Sequence, residues 1–98
     1  MTGTRRTTEG LDARRRKALY HAWHRGMREM DLLLGNFADA AIGDLPDSEL
    51  SDFETLMDVP DPDLFDWISG REDVAANYDT ALFRRILDFH NGQLEDRS

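Results

Sequence analysis

Met30, Leu33, Leu34 and Phe37 recur three and four residues apart, the spacing that lays side chains along one face of an α-helix. The same rhythm returns at Leu11, Ala18, Leu19, Ala22 and Trp23, and again at Leu50, Phe53, Leu56 and Met57. It continues at Leu64, Phe65 and Ile68 with Trp67 at the shoulder, and at Leu82, Phe83, Ile86 and Leu87 with His90 beside them. No stretch alternates as a half-buried strand does, and no Asn-Gly pair separates two apolar runs. Five short amphipathic helices have to bury their stripes against one another. The expected fold is therefore all-α, a compact five-helix bundle forming a single small domain.

The punctuation between the stripes supports this division. The first helix runs from Leu11 to about His24, with Asp12 suited to its positive end. The second spans about Met27 to Ile42, and Gly43 looks like its C-terminal cap. Gly35 lies inside that helix at a cost of about 1 kcal/mol relative to alanine, and a glycine there lets another helix approach closely. Asp47 or Ser48 can cap the third helix, which Val59-Pro60 closes. Asp61-Pro62-Asp63 reads as cap, first-turn proline and dipole-friendly acid for the fourth, and Gly70 ends it. Asp79 or Thr80 can open the fifth, and Asn91-Gly92 can stop it. Residues 1–10 have almost no apolar content and are expected to form a disordered arm. Residues 11–92 form the domain, and residues 93–98 are a tail expected to fray.

Composition removes several functional classes. The absence of cysteine excludes disulfides, a thiolate-held zinc and a thiol nucleophile together. No apolar run approaches the ~20 residues that cross a bilayer, so no membrane insertion is expected. The arginines of the first ten residues are followed by no apolar block, so no secretory signal is expected. A bacterial cytoplasmic setting is favoured over a mitochondrial matrix, and a monomer is expected, with Trp23 a candidate exposed aromatic for weak self-contact. The net charge of −8 is unevenly spread. Residues 1–30 carry eight Lys/Arg against three acids, a net of +5, and residues 31–98 carry four against seventeen, a net of −13. A basic end on an acidic body can be steered toward an acidic partner.

Positive support for an enzyme is absent. His21 and His24 sit three apart on a helix, but two ligands make no metal site without a third. The acids around Asp58, Asp61, Asp63 and Asp66 lack the glycine a calcium loop needs for its sharp turn. No glycine-rich phosphate loop is present, and neither Ser48 nor Ser51 has a histidine in its sequence neighbourhood to activate it. The run Arg14 to Lys17 raises an alternative, a small helical nucleic-acid binder or generic adaptor using the basic face of the first helix. The acidic body argues against phosphate binding, and no nucleic acid is expected as a partner.

What remains is Arg25-Gly26-x-x-Glu29 at the joint between the first two helices. Arg25 can hydrogen-bond a carboxylate or backbone carbonyls in a planar fork. Gly26 permits close backbone approach or a conformation closed to other residues. Glu29, one turn away, can orient Arg25 by an ion pair. On residue types alone the trio reads either as a docking surface or as a helix-joint salt bridge with no further role.

The segment from Arg25 to Phe37 resembles the Arg-Gly-x-x-Glu signature of the succinate dehydrogenase FAD assembly factor family, the bacterial SdhE or flavinator proteins and their mitochondrial counterparts. Leu50-x-x-Phe53-Glu54-x-Leu56-Met57 and Pro60-Asp61-Pro62-Asp63-Leu64-x-Asp66-Trp67 resemble it too, as does Ile86-Leu87-Asp88-Phe89-His90 less distinctively. The likeness covers roughly residues 12 to 91. It implies a five-helix chaperone, not an enzyme, that binds the flavoprotein subunit of succinate dehydrogenase or fumarate reductase and promotes covalent attachment of FAD to it. The resemblance makes Arg25, Gly26 and Glu29 the partner-binding surface, flanked by His24 and Asp31. It assigns no catalytic residue, metal or cofactor to this chain, because FAD belongs to the client.

Overall fold

Each apolar stripe finds cover in another. The computed structural model describes the backbone of residues 10–97 and side chains as far as Gly92. Five α-helices follow in order: α1 (Ala13–Trp23), α2 (Arg28–Ala41), α3 (Asp47–Met57), α4 (Asp61–Ser69) and α5 (Ala81–Arg97). Short 3-10 turns at Ile42–Asp44 and Ala76–Tyr78 lie before α3 and α5. No strand occurs among the described residues. The arm expected over residues 1–10 falls, Gly10 apart, outside the described residues, as do Ser98 and the side chains of the tail expected over 93–98.

The helix ends show which local signals prevailed. Asp12 caps α1, its carboxylate accepting the Arg15 N–H at 2.8 Å. Thr80 Oγ1 accepts the Phe83 N–H at 3.1 Å at the start of α5. Gly70 closes α4 in a left-handed conformation, φ +83°, which an L side chain adopts only at a cost. Other signals moved by a residue or failed. Pro46 and Pro60, not an Asp or Ser, occupy the N-cap positions of α3 and α4, and no side chain caps either helix. Asp47, Glu49, Asp61 and Asp63 fall in the first turns instead, where their charge suits the positive helix end. Gly43 lies in the 3-10 turn rather than in a left-handed cap. Gly92 does not stop α5, which continues to Arg97. A lone glycine costs a helix only about 1 kcal/mol and does not by itself end one.

α1 packs chiefly on α2 and also on α3, while α5 closes against α2 and α3. The core joins Leu19, Ala22 and Trp23 of α1 to Met30, Leu34 and Phe37 of α2, Leu50 and Phe53 of α3, Leu64 of α4, and Leu82, Phe83 and Ile86 of α5. Phe37 stands at its centre, 5.9 Å from the Phe53 ring and 5.7 Å from the Phe89 ring. Trp23, expected as an exposed aromatic, is buried. Its indole lies against the bare Cα of Gly35, and its Nε1–H donates to Asp39 at 3.3 Å. The glycine inside α2 is thus the slot into which α1 closes.

Candidate functional site

The basic run of α1 is spent within the chain. Arg14 forks onto Glu54 of α3 (Nη2 to Oε1 2.7 Å, Nε to both oxygens 3.0 Å) and donates to Ser51 at 2.6 Å. The bond from Arg14 holds the Glu54 carboxyl below its usual value. The Arg15 backbone N–H, then its guanidinium, do the same for Asp12. Arg15 also donates to the carbonyls of Ile42 at 3.1 Å and Leu45 at 2.6 Å, two acceptors beyond the end of α2. Arg16 donates to the Leu11 carbonyl. Two of the four cations therefore brace α1 against its neighbours and a third bonds the segment leading into it, which leaves less of this face for nucleic acid.

The joint between α1 and α2 runs from His24 to Met27, with Gly26 at positive φ and Met27 extended. His24 caps α1 with its backbone. Its ring stacks on Tyr20, centroids 4.0 Å apart and 17° from parallel. Nδ1 lies 2.8 Å from the Tyr20 carbonyl; because a carbonyl only accepts, Nδ1 carries the hydrogen in that bond. Tyr20 is 62% exposed, one of two large hydrophobic side chains, with Leu32, exposed among the described residues. Gly26 follows at φ +99°, with open space where a Cβ would sit. Met27 begins α2 without a side-chain cap. Asp31, one turn into α2, reaches back instead: its Oδ1 accepts the N–H of Arg25 at 2.6 Å and of Gly26 at 3.3 Å, which ties the two residues before the N-cap to the helix.

Arg25 turns inward. Its side chain is only 8% exposed, and its guanidinium faces the turn between α3 and α4. Nε donates to Asp61 Oδ1 at 2.8 Å, Nη2 to the Val59 carbonyl at 2.6 Å and Nη1 to the Met57 carbonyl. Met57 ends α3, so its carbonyl lacks a helical partner, and a cation at the negative end of a helix is favourable. Asp61 begins α4, where a carboxylate is equally well placed. Arg25 thus joins two helix ends through one planar fork.

This arrangement corrects one expectation. Glu29 does not orient Arg25; among the described residues Glu29 forms no ion pair, and it stands exposed on α2. Neighbours one turn apart meet only when both lie on the same helix, and Arg25 precedes the left-handed turn that starts α2. Gly26, Glu29 and His24 are exposed, Asp31 is half-buried, and Arg25 is committed inside. His24 and Arg25 also border a shallow crevice completed by His21, Met57, Pro60 and Asp61. No group of three His, Asp or Glu able to hold a metal occurs among the described residues. The residue that sequence reasoning missed is Asp61, read as a helix cap. Its signal was indirect: an arginine drawn into a core demands a counter-ion, and the acids of the α3–α4 turn were the candidates.

Comparison with known proteins gives one consistent result. The family model described as "Flavinator of succinate dehydrogenase" matches residues 16–90. The FAD assembly factor SdhE of Acetobacter pasteurianus is 38% identical over 80 residues, covering 82% of this chain and 73% of that protein. The FAD assembly factor SdhE of Photobacterium profundum is 34% identical over 84 residues, 86% of this chain and 96% of the relative. Succinate dehydrogenase assembly factor 2, mitochondrial, of Dictyostelium discoideum is 40% identical over 76 residues. The matched segment is 78% of this chain and about half, 54%, of that relative. No described helix is long and apolar enough to cross a membrane. All of the joint and most of α1 through α5 fall within the matched segment, and the chain belongs to the flavinator of succinate dehydrogenase family.

Proposed function

We propose that this chain is a monomeric assembly factor that docks on the flavoprotein subunit of succinate dehydrogenase through the α1–α2 joint and promotes covalent attachment of FAD there. The fumarate reductase flavoprotein, as a related client, falls within the same reading. The observation that carries it is the pairing of an exposed left-handed Gly26 and an unpaired, exposed Glu29 within a segment matched to the family. A glycine with open space above it lets another backbone come close, and a carboxylate beside it fixes register.

In this reading the chain is not an enzyme, and FAD stays with the client as its substrate for attachment. The bond-forming chemistry would belong to the flavin and a client histidine, and this chain would contribute by holding the client in a geometry that favours it. The exposed residues at the joint are His24, Gly26, Arg28 and Glu29, a mixed-charge set suited to a protein surface rather than to a pyrophosphate, which calls for clustered backbone N–H groups and several cations. His24 flanks the contact, while Arg25 and Asp31 hold its shape.

The test separates bulk from backbone strain. Gly26→Ala and Gly26→Arg carry a similar backbone penalty at φ +99°, and the Cβ of either stands in open space. Only arginine projects far enough to block a client. Co-expression with the flavoprotein, read by in-gel flavin fluorescence, should show covalent flavin nearly lost with Gly26→Arg and largely kept with Gly26→Ala. Undiminished flavin with a folded Gly26→Arg variant refutes the proposal.

A further inference from the structure

We infer that Asp61, which lies outside the Arg-Gly-x-x-Glu segment, is a positioning residue for docking: by anchoring Arg25 it fixes the turn at Gly26 that the client meets. The inference rests on the docking reading above. Arg25 is tied at both ends, its backbone N–H to Asp31 and its guanidinium to Asp61, Val59 and Met57. The residue after it is Gly26, whose own N–H bonds only the same Asp31 oxygen, at 3.3 Å.

The space that a Cβ would take at Gly26 is open. Glycine enters φ +99° as readily as it leaves it, so the turn is held by its surroundings, and these include two carboxylates. Asp31 acts from α2, and Asp61 acts from the start of α4. Asp61 is itself only 16% exposed. Without it, a nearly buried guanidinium loses its counter-ion while keeping its charge. The least costly response is for Arg25 to swing toward solvent across the crevice lined by His21 and His24, carrying its Cα and the glycine with it. The client would then meet a turn of altered shape although every residue of the contact surface is unchanged.

The experiment uses the full chain and the flavoprotein subunit before flavin attachment, with affinity measured by calorimetry. Asp61→Ala removes the anchor, and Asp61→Asn keeps an acceptor at the same position without the charge. Gly26→Arg reports on docking itself. Glu49→Ala, which removes the ion pair to Arg85 at the far end of α3, is the control for generic loss of a surface contact. We expect Asp61→Ala to weaken binding by about tenfold, the scale on which residues behind a contact surface act, with Asp61→Asn between it and the native chain and Glu49→Ala unchanged.

The Gly26 amide resonance should move in both Asp61 variants and stay in place in Glu49→Ala. Asp61→Ala combined with Gly26→Arg should bind no worse than Gly26→Arg alone, since both act on one surface. If folded Asp61→Ala and Asp61→Asn bind as the native chain does while Gly26→Arg fails to bind, the positioning role is wrong and docking stands. If Gly26→Arg binds as the native chain does, the docking reading itself fails. Should Asp61→Ala not fold, Asp61→Asn decides alone: weakened binding with a shifted Gly26 amide supports the role, and native affinity or an unmoved amide overturns it.

Discussion

Gly35→Ala is a substitution for which helix propensity and tertiary packing give opposite signs. By propensity alone, alanine inside α2 stabilises by about 1 kcal/mol. The packing predicts the reverse. A methyl at Gly35 would lie 2.5 Å from Cε2 and 2.6 Å from Cε3 of Trp23, about 1 Å inside the ~3.5 Å at which carbon atoms come into favourable contact. Cε2 is a ring-fusion atom and Cε3 belongs to the six-membered ring of a buried indole, not to the end of a flexible chain, so the whole ring has to retreat. If α1 slides to make room, overpacking costs about 1–3 kcal/mol. If the indole leaves its slot, the loss approaches that of deleting a buried tryptophan, about 3–5 kcal/mol, together with its bond to Asp39.

Set against the propensity gain, the net destabilisation centres on about 2 kcal/mol. For a domain of this size that lowers the melting temperature by about 8–16 °C. Far-UV circular dichroism gives the melting temperature, and tryptophan emission reports whether Trp23 has become wetter. A Gly35→Ala variant that melts at or above the native temperature would show that the α1–α2 contact is not governed by this slot.

Other outcomes follow from the arginines and carboxylates that brace α1. Arg15, nearly buried and bonded to the carbonyls of Ile42 and Leu45, should cost about 2 kcal/mol when replaced by alanine, since bonds to a charged donor contribute about 1.5–3 kcal/mol. Its neighbour Arg14, in an exposed pair with Glu54, should cost clearly less, because solvent screens an exposed ion pair; equal losses in urea melts would contradict that division. The Glu54 and Asp12 carboxyls are held below their ordinary values by Arg14 and Arg15, so the folded state binds their protons less readily than the unfolded chain. Their contribution is complete above the ordinary glutamate value of about 4.5 and is lost as the pH falls through the depressed folded values. Urea midpoints should therefore decline below that pH, and Glu54→Gln should flatten part of the decline; an unchanged profile in that variant would remove Glu54 from the account.

The helices were legible because burial imposes a period on the chain. The stripes at Leu19-Ala22-Trp23, Leu34-Phe37, Leu50-Phe53 and Leu82-Phe83-Ile86 all face the core, and the glycine suspected of admitting a neighbour does admit Trp23. Helix ends were less legible, because capping contributes only about 1 kcal/mol and packing readily shifts it by a residue. That is how prolines came to occupy the cap positions of α3 and α4, and how α5 ran through Gly92. Trp23 was placed on the apolar face and yet expected as an exposed aromatic; the stripe was the better guide, because its slot is cut by a residue twelve positions away.

A joint has no period, and this is why the motif was read with the wrong internal pairing. Along a helix, spacing fixes which residues share a face. Across the left-handed turn at Gly26 that relation breaks, and residues on its two sides point independently. Arg25 went inward because α3 ends and α4 begins just opposite, offering two carbonyls and a carboxylate in the plane a guanidinium requires. Glu29, already on α2, kept the direction its helix gave it and faces solvent. The two charges of one short motif therefore perform different tasks. One fixes the shape of the turn from within, and the other is presented by it. Substituting lysine for Arg25 would keep the charge and lose the fork, so its effect on the turn should follow Asp61 rather than Glu29.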